Sequence, residues 1–190
     1  MTMTIAKAAC FFVIAFAVAA VGGCCGAGAG HAQGSSAVAP NPAPDWIAFF
    51  TSTFDAIHEP LAVVLSAPTC RKGWILGEMY RAGRQRNLRI DEYAVGDLGT
   101  ADISCGQTPD MLAEVRIAGA APGLKLHENM ELLGQQMRTI GTPATQRFMI
   151  LIIPHSQDDA EAEKYLRPFS FARESVDHDW PDFRVRIWRF

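Results

Sequence analysis

The stretch that decides the fold is IGTPATQRFMILII, residues 140–153. Its second half, 148–153, is the most apolar run of the chain beyond the N-terminal 32 residues. A short apolar run bounded by turn residues is typical of a strand that is buried on both faces. We therefore predict that this run forms the central strand of a sheet, and that Gly141-Thr142-Pro143 ends the helix before it.

Helical and strand patterns alternate around this central strand. Met130, Leu133 and Met137 recur at helical spacing, which predicts a helix from about Asn129. The acidic start of 158–165 predicts another helix. The last predicted strand, 183–188, alternates apolar residues with arginines and is expected to be partly exposed, its arginines discouraging edge-to-edge association.

The segments before residue 110 suggest a parallel β-α-β unit. Asp45 is expected to cap a helix that ends at Pro60. The predicted unit is a strand at 61–65, a helix at 73–86 and a strand at 88–95, with a right-handed crossover. The predictions for the following segments are turns over 96–109 and a helix over 110–117. Together these patterns predict an α/β fold.

The first 32 residues have the pattern of a signal peptide. Lys7 is their only charged residue, and it precedes an apolar run over 8–21 that is shorter than a membrane-spanning helix. Small residues up to Ala32 offer a cleavage site. Cys24 offers an alternative, because 21–24 loosely resembles the site at which lipoproteins are cleaved and lipidated. We expect a periplasmic protein with a flexible linker over 33–44 and one domain over 45–190.

The charge of the mature part disfavours a nucleic-acid partner, because residues 33–190 carry 16 basic against 20 acidic residues. The histidines have no metal-type spacing, so neither a metal nor a cofactor is expected. Only two cysteines, Cys70 and Cys105, remain after removal of the leader. In an oxidising compartment they are a catalytic pair, a structural disulfide or two free thiols.

Cys70 stands at the predicted start of a helix and is followed by Arg71 and Lys72. Unpaired N–H groups and adjacent cations favour the thiolate, which is the nucleophile in disulfide exchange. A proline at position 143 can follow a cis peptide bond, which would expose the backbone of Thr142 for pairing with an extended peptide. Cys70 and Cys105 are the candidate thiols for catalysis.

The arrangement of Pro-x-Cys at a helix start and Gly-Thr-Pro before an apolar strand resembles the thioredoxin superfamily. The segment 129–144 is similar to the helix and cis-proline loop of the periplasmic protein-disulfide isomerases, the DsbC/DsbG group. The resemblance covers roughly 60–153 and implies a thioredoxin-like fold with a helical insertion. It also implies that Cys70 is the attacking thiol, that the peptide bond before Pro143 is cis, and that Thr142 and Pro143 are the substrate-binding residues.

The chain departs from that family at the second active-site cysteine, which is replaced by Gly73 in Cys70-Arg71-Lys72-Gly73. A lone thiol cannot release itself from a mixed disulfide, so Cys105 or an external thiol must resolve it. The expected function is thiol-disulfide exchange on cysteine-containing exported proteins by a monomer, which a membrane redox partner could regenerate. The alternative is a non-catalytic assembly factor of a secretion or conjugation system, as in the TrbC-type pilin assembly proteins.

Overall fold

A six-stranded mixed sheet forms the centre of the computed structural model, which describes residues 44–67, 71–93, 101–106, 109–119, 123–155 and 169–190. The elements in chain order are α1 (Trp46–Ser66), α2 (Arg71–Gln85), β1 (Ile90–Tyr93), β2 (Ala101–Cys105), β3 (Met111–Ile117), α3 (Gly123–Met137), β4 (Gln146–Pro154), β5 (Glu174–Asp179) and β6 (Phe183–Arg189). The strand order is β1-β2-β3-β4-β6-β5. Only the β3–β4 pair is parallel among these strands. The α/β class is therefore confirmed.

The prediction of a central strand over 148–153 is confirmed by β4, which pairs with β3 on one side and β6 on the other. Alternate residues of β4 belong to two different cores. Phe148, Ile150 and Ile152 pack with α1 and α2, whereas Met149 and Leu151 pack with α3 and the 169–171 segment. Burial on both faces explains why the segment is continuously apolar.

The predicted strand at 61–65 is wrong, because α1 continues through Pro60 to Ser66. The N-terminal cap is as expected, since the backbone N–H of Ala48 donates to Asp45 Oδ1 at 3.1 Å. A proline inside a helix costs about 3 kcal/mol. Leu61 and Leu65 continue the buried face of the helix, and burial of such side chains stabilises by about 1.5–3 kcal/mol each, which together offsets that cost.

The predicted parallel β-α-β unit at 61–95 is consequently absent. The helix at 73–86 is confirmed as α2 and the strand at 88–95 as the shorter β1, but β1 is an edge strand antiparallel to β2. The turn-rich interpretation of 96–109 is wrong for 101–105, which form β2. The predicted helix at 110–117 is also wrong. This segment is β3, whose residues are buried from both sides of the sheet.

The predicted strand at 183–188 is confirmed as β6, but it lies inside the sheet and not at its edge. Its arginines pair with acidic residues of β5, a strand that was not predicted. Arg184 Nε lies 2.6 Å from Asp179 Oδ1, and Arg189 Nη2 lies 2.8 Å from Glu174 Oε2. The arginines thus join two strands instead of protecting an edge.

Some predictions fall outside the described residues. These are the leader at 1–32, all of the linker but Pro44, Cys70 and the helix at 158–165. The helix predicted from about Asn129 is confirmed as α3, which begins earlier, at Gly123. Within the described part of the chain, no helix has the length and apolar character needed to cross a bilayer.

Candidate functional site: an arginine cleft at Thr142 and Pro143

Thr142 and Pro143 lie in the exposed turn between α3 and β4. The turn is closed by Thr145, whose hydroxyl accepts a hydrogen bond from the Thr142 N–H at 2.8 Å and donates to the Pro109 carbonyl at 2.7 Å. Gly141 has φ +79°, a conformation that favours glycine, and a Cβ there would stand 2.5 Å from Thr145 Oγ1. The turn is therefore fixed against the start of β3.

The expected cis bond before Pro143 is wrong, because the Thr142–Pro143 peptide is trans. Trans is the lower-energy form of an X–Pro bond by about 0.5–1 kcal/mol. The chain reverses here through the positive φ of Gly141 and the Thr145 hydrogen bonds, so the turn does not require a cis bond.

Arg147, the second residue of β4, fixes this turn through hydrogen bonds from its guanidinium. Its Nε donates to the Met137 carbonyl at 2.8 Å, and its Nη1 donates to the Thr145 carbonyl at 2.6 Å. Its Nη2 donates to the carbonyls of Ile140 and Thr142. A single guanidinium thus satisfies four backbone acceptors between the end of α3 and the start of β4, a role that suits its planar fork of donors.

Two more arginines share the cavity above Arg147. The cavity has a volume of about 400 Å³, and we call it the arginine cleft; it is lined by Arg138, Gly141, Thr142, Pro143, Thr145, Arg147, Arg173 and Phe190. Arg138 and Arg173 are exposed, and neither forms an ion pair with an acidic side chain of the described residues. The cleft therefore concentrates positive charge.

The electrostatics of Arg147 reflect this crowding. Burial lowers the pKa of its guanidinium, and the positive charges of Arg173 and Arg138 lower it further. Like charges held close together in a partly desolvated site destabilise one another. An anion placed among these three side chains would relieve that repulsion, and bidentate hydrogen bonding to a carboxylate or phosphate is the characteristic chemistry of arginine.

Cys105 ends β2 and pairs with Met111 at the start of β3, near the same end of the sheet as the 141–145 turn. Its thiol is free and only 8% exposed. Burial raises the pKa of this thiol, and the charge of Asp110 raises it further. A buried thiol with a raised pKa is a poor nucleophile, so this environment does not favour a resolving cysteine.

Cys70 lies outside the described residues, but the helix that follows it is placed. Lys72, in the first turn of α2, lies 2.7 Å from Asp102 Oδ1 and 3.3 Å from Glu114 Oε1, in the middle of β3. The same lysine lines a cavity that reaches Ile117, at the carboxyl end of β3. The 141–145 turn lies at the opposite end, because Gln146 of the parallel β4 pairs with Met111.

Sequence reasoning named Thr142 and Pro143 but missed the arginines around them. Arg138 and Arg147 flank the Gly-Thr-Pro turn at similar distances in sequence. This spacing is the sequence signal that could have indicated a basic site at the turn. Arg173 comes from the segment before β5, and only the folded sheet brings it to the cleft. In the described ranges, no group of three or more His, Cys, Asp or Glu side chains is arranged to hold a metal ion.

Comparison of the chain with family models, with curated proteins and with solved structures finds no match. The site therefore has to be interpreted from its own geometry.

Proposed function

We propose that this chain is an exported, non-catalytic binding protein that captures an acidic segment of a partner protein in the arginine cleft. The proposal takes up the assembly-factor alternative and gives it a site. The observation that carries it is the convergence of Arg138, Arg147 and Arg173 on one cavity without an acidic partner among the described residues.

The arginines divide into a fixed one and two adaptable ones. Arg147 is committed to four backbone carbonyls and supplies a positive field from a rigid position. Arg138 and Arg173 are exposed and have their guanidinium donors available for a carboxylate. One fixed guanidinium and two exposed ones suit the carboxylates of a peptide, since arginine pairs with a carboxylate through two parallel hydrogen bonds.

The mild acidic excess of residues 33–190 supports a protein partner over nucleic acid. A nucleic-acid surface would need a broad basic face, because affinity there comes from many phosphate contacts. Here the three clustered arginines share one cavity. The arginines of β6 do not extend it into a broad basic face, because they are paired with acidic residues of β5.

Thiol-disulfide exchange remains a prediction, since Cys70 is not among the described residues. Three features favour binding over that chemistry: the trans Thr142–Pro143 bond, the buried Cys105 thiol, and the position of Lys72 away from the turn. The Cys70→Ser variant should therefore leave both insulin reduction and peptide binding unchanged. A loss of insulin reduction in that variant would favour the redox function instead.

The direct test is fluorescence anisotropy with a labelled Asp/Gly peptide and an Asn/Gly peptide of the same length. The Arg138→Met/Arg173→Met double variant should bind the acidic peptide about ten-fold more weakly than the unmodified chain. Arg81→Met/Arg84→Met on α2 removes the same charge elsewhere and is the matched control. If both double variants weakened peptide binding equally, the loss would be due to net charge and not to the cleft, which would contradict the proposal.

A further inference from the structure

A second cavity of about 450 Å³ lies at the carboxyl half of β3, away from the arginine cleft. We call it the leucine cleft, because its walls are largely apolar and are formed by Val115, Ile117, Leu126, Leu132 and Leu133. Lys72 and Arg116 also line it, and both are about one-third exposed, at 34% and 28%. An apolar cavity with a few convergent polar groups is the usual form of a small-molecule site.

The position of the leucine cleft in the sheet also fits a ligand site. Ligands of α/β sheets bind beyond the carboxyl ends of parallel strands, and β3 is one strand of the parallel pair. Among the described residues, the β2–β3 pairing covers 103–105 against 111–113. Further along β3, the N–H of Val115 donates to Asp102 Oδ2 at 2.7 Å instead of to a strand carbonyl.

A buried ionic cluster lies behind the cleft. Glu114 is 1% exposed. Its Oε1 forms ion pairs with Lys72 Nζ at 3.3 Å and with Arg116 Nη2 at 2.6 Å. Its Oε2 is buried without a hydrogen-bond partner. Lys72 Nζ also forms an ion pair with Asp102 Oδ1 at 2.7 Å, so two cations and two carboxyl groups lie in this cluster.

We propose that the leucine cleft binds a medium-chain aliphatic carboxylate, with the alkyl chain along the leucines and the carboxylate at Lys72 and Arg116. The cleft is large enough for such a chain, and the N–H donors of Lys72 and Arg116 lie at its polar end. Lys72 and Arg116 have more N–H donors than the contacts to Asp102 and Glu114 use. The N–H donors at one end and the apolar wall at the other favour an amphipathic anion, whose carboxylate accepts those hydrogen bonds, over a neutral apolar molecule, which cannot.

Proton uptake should accompany this binding. Burial, together with the charge of Asp102, raises the pKa of Glu114 to about 7 despite the opposing charges of Lys72 and Arg116. Those three are the charged groups that act on Glu114 among the described residues. A ligand carboxylate near the same cations adds a negative charge, which favours protonation of Glu114. Binding should therefore strengthen as the pH falls from about 8 to about 6.

The experiment is isothermal titration of the full chain with decanoate, decanol, butanoate and a leucine-terminated peptide. Decanoate should bind at least about ten-fold more tightly than either decanol, which lacks the charge, or butanoate, which lacks the chain. Glu114→Gln should bind decanoate with little dependence on pH. Equal binding of decanol and decanoate, or tighter binding of a leucine-terminated peptide than of decanoate, would overturn the proposal.

Two exposed apolar side chains, one at the cleft and one remote from it, provide matched variants. Leu132 is 55% exposed at the cleft, and Val63 is 71% exposed on α1. Leu132→Asp should weaken decanoate binding about ten-fold or more, whereas Val63→Asp, with the same change of charge, should leave it unchanged. Equal effects of the two would overturn the proposal. The Arg138→Met/Arg173→Met variant should retain decanoate binding, which separates this site from the arginine cleft.

Discussion

Arg147 Nε donates a hydrogen bond of 2.8 Å to the carbonyl of Met137, and so joins the start of β4 to the last residue of α3. The same guanidinium reaches three further carbonyls in the turn that contains Thr142. The floor of the arginine cleft is therefore part of the structure that connects a helix to the central strand. Substitution of Arg147 should therefore lower the free energy of unfolding as well as weaken peptide binding.

Arg147→Lys should lower the free energy of unfolding by about 2 kcal/mol. A lysine ammonium cannot reach four carbonyls spread around a planar fork, and unsatisfied backbone acceptors in a partly buried site are costly. Urea unfolding measures the change. Arg138→Lys keeps the charge of the cleft at an exposed position and should alter stability by less than about 0.5 kcal/mol. Equal stability of Arg147→Lys and the unmodified chain would show that the turn does not need this side chain.

Glu114 should make the chain less stable as the pH rises from about 4.5 to about 7. Its pKa in the folded chain is raised to about 7, so the folded state holds a proton there that the unfolded state has already lost. The contribution of this proton to the free energy of unfolding is complete below pH 4.5 and is lost as the carboxyl of the folded chain ionises near pH 7. The free energy of unfolding should fall by roughly 3 kcal/mol over that range.

Urea unfolding of the unmodified chain and of Glu114→Gln across this pH range isolates that contribution. Glutamine cannot ionise, so the variant should gain stability relative to the unmodified chain as the pH rises. A stability difference that is constant with pH would mean that Glu114 titrates normally.

Two helix glycines should respond in opposite ways to alanine. A Cβ at Gly77 in α2 meets no atom within 4 Å, so Gly77→Ala should stabilise by about 0.5–1 kcal/mol through helix propensity. A Cβ at Gly134 in α3 would stand 2.1 Å from Phe171 Cε1, so Gly134→Ala should destabilise by about 1–3 kcal/mol. Thermal unfolding distinguishes the two. A stabilised Gly134→Ala variant would contradict the packing of Phe171 on α3.

Cys105 should be alkylated slowly in the folded chain. Its burial removes access, and its raised pKa reduces the thiolate fraction at neutral pH. Iodoacetamide treatment followed by peptide mapping should show modification of Cys105 at least about ten-fold slower in buffer than in urea. Comparable rates in the two conditions would indicate an accessible thiol and reopen a resolving role for this residue.

The start of α1 and the buried sides of α2 and α3 follow from local sequence signals. Asp45 caps α1 as expected, and the apolar spacing on α2 and the second half of α3 corresponds to their buried sides. Pro60 misled the prediction because its local cost is evident in the sequence, whereas the burial of Leu61 and Leu65 beyond it depends on the sheet beneath.

β3 shows why the rest was not predictable. Met, Leu, Ala and Glu favour helices, and a glutamate at 114 argues against a buried strand. The fold accepts it because Lys72 and Arg116 partner the carboxyl group. Of these two, only Arg116 is close to Glu114 in the sequence, so the full compensation appears only after the chain has folded.

By itself the sequence determined the α/β class, the central position of β4 and the turn at Thr142 and Pro143 that precedes it, because apolar runs and turn residues act over a few neighbours. The tertiary structure alone decided the strand order, the trans turn and the two clefts. Arg173 joins Arg138, and Lys72 joins Arg116, through contacts between residues that are distant in the chain. Such contacts depend on how the sheet is assembled, which local patterns do not specify.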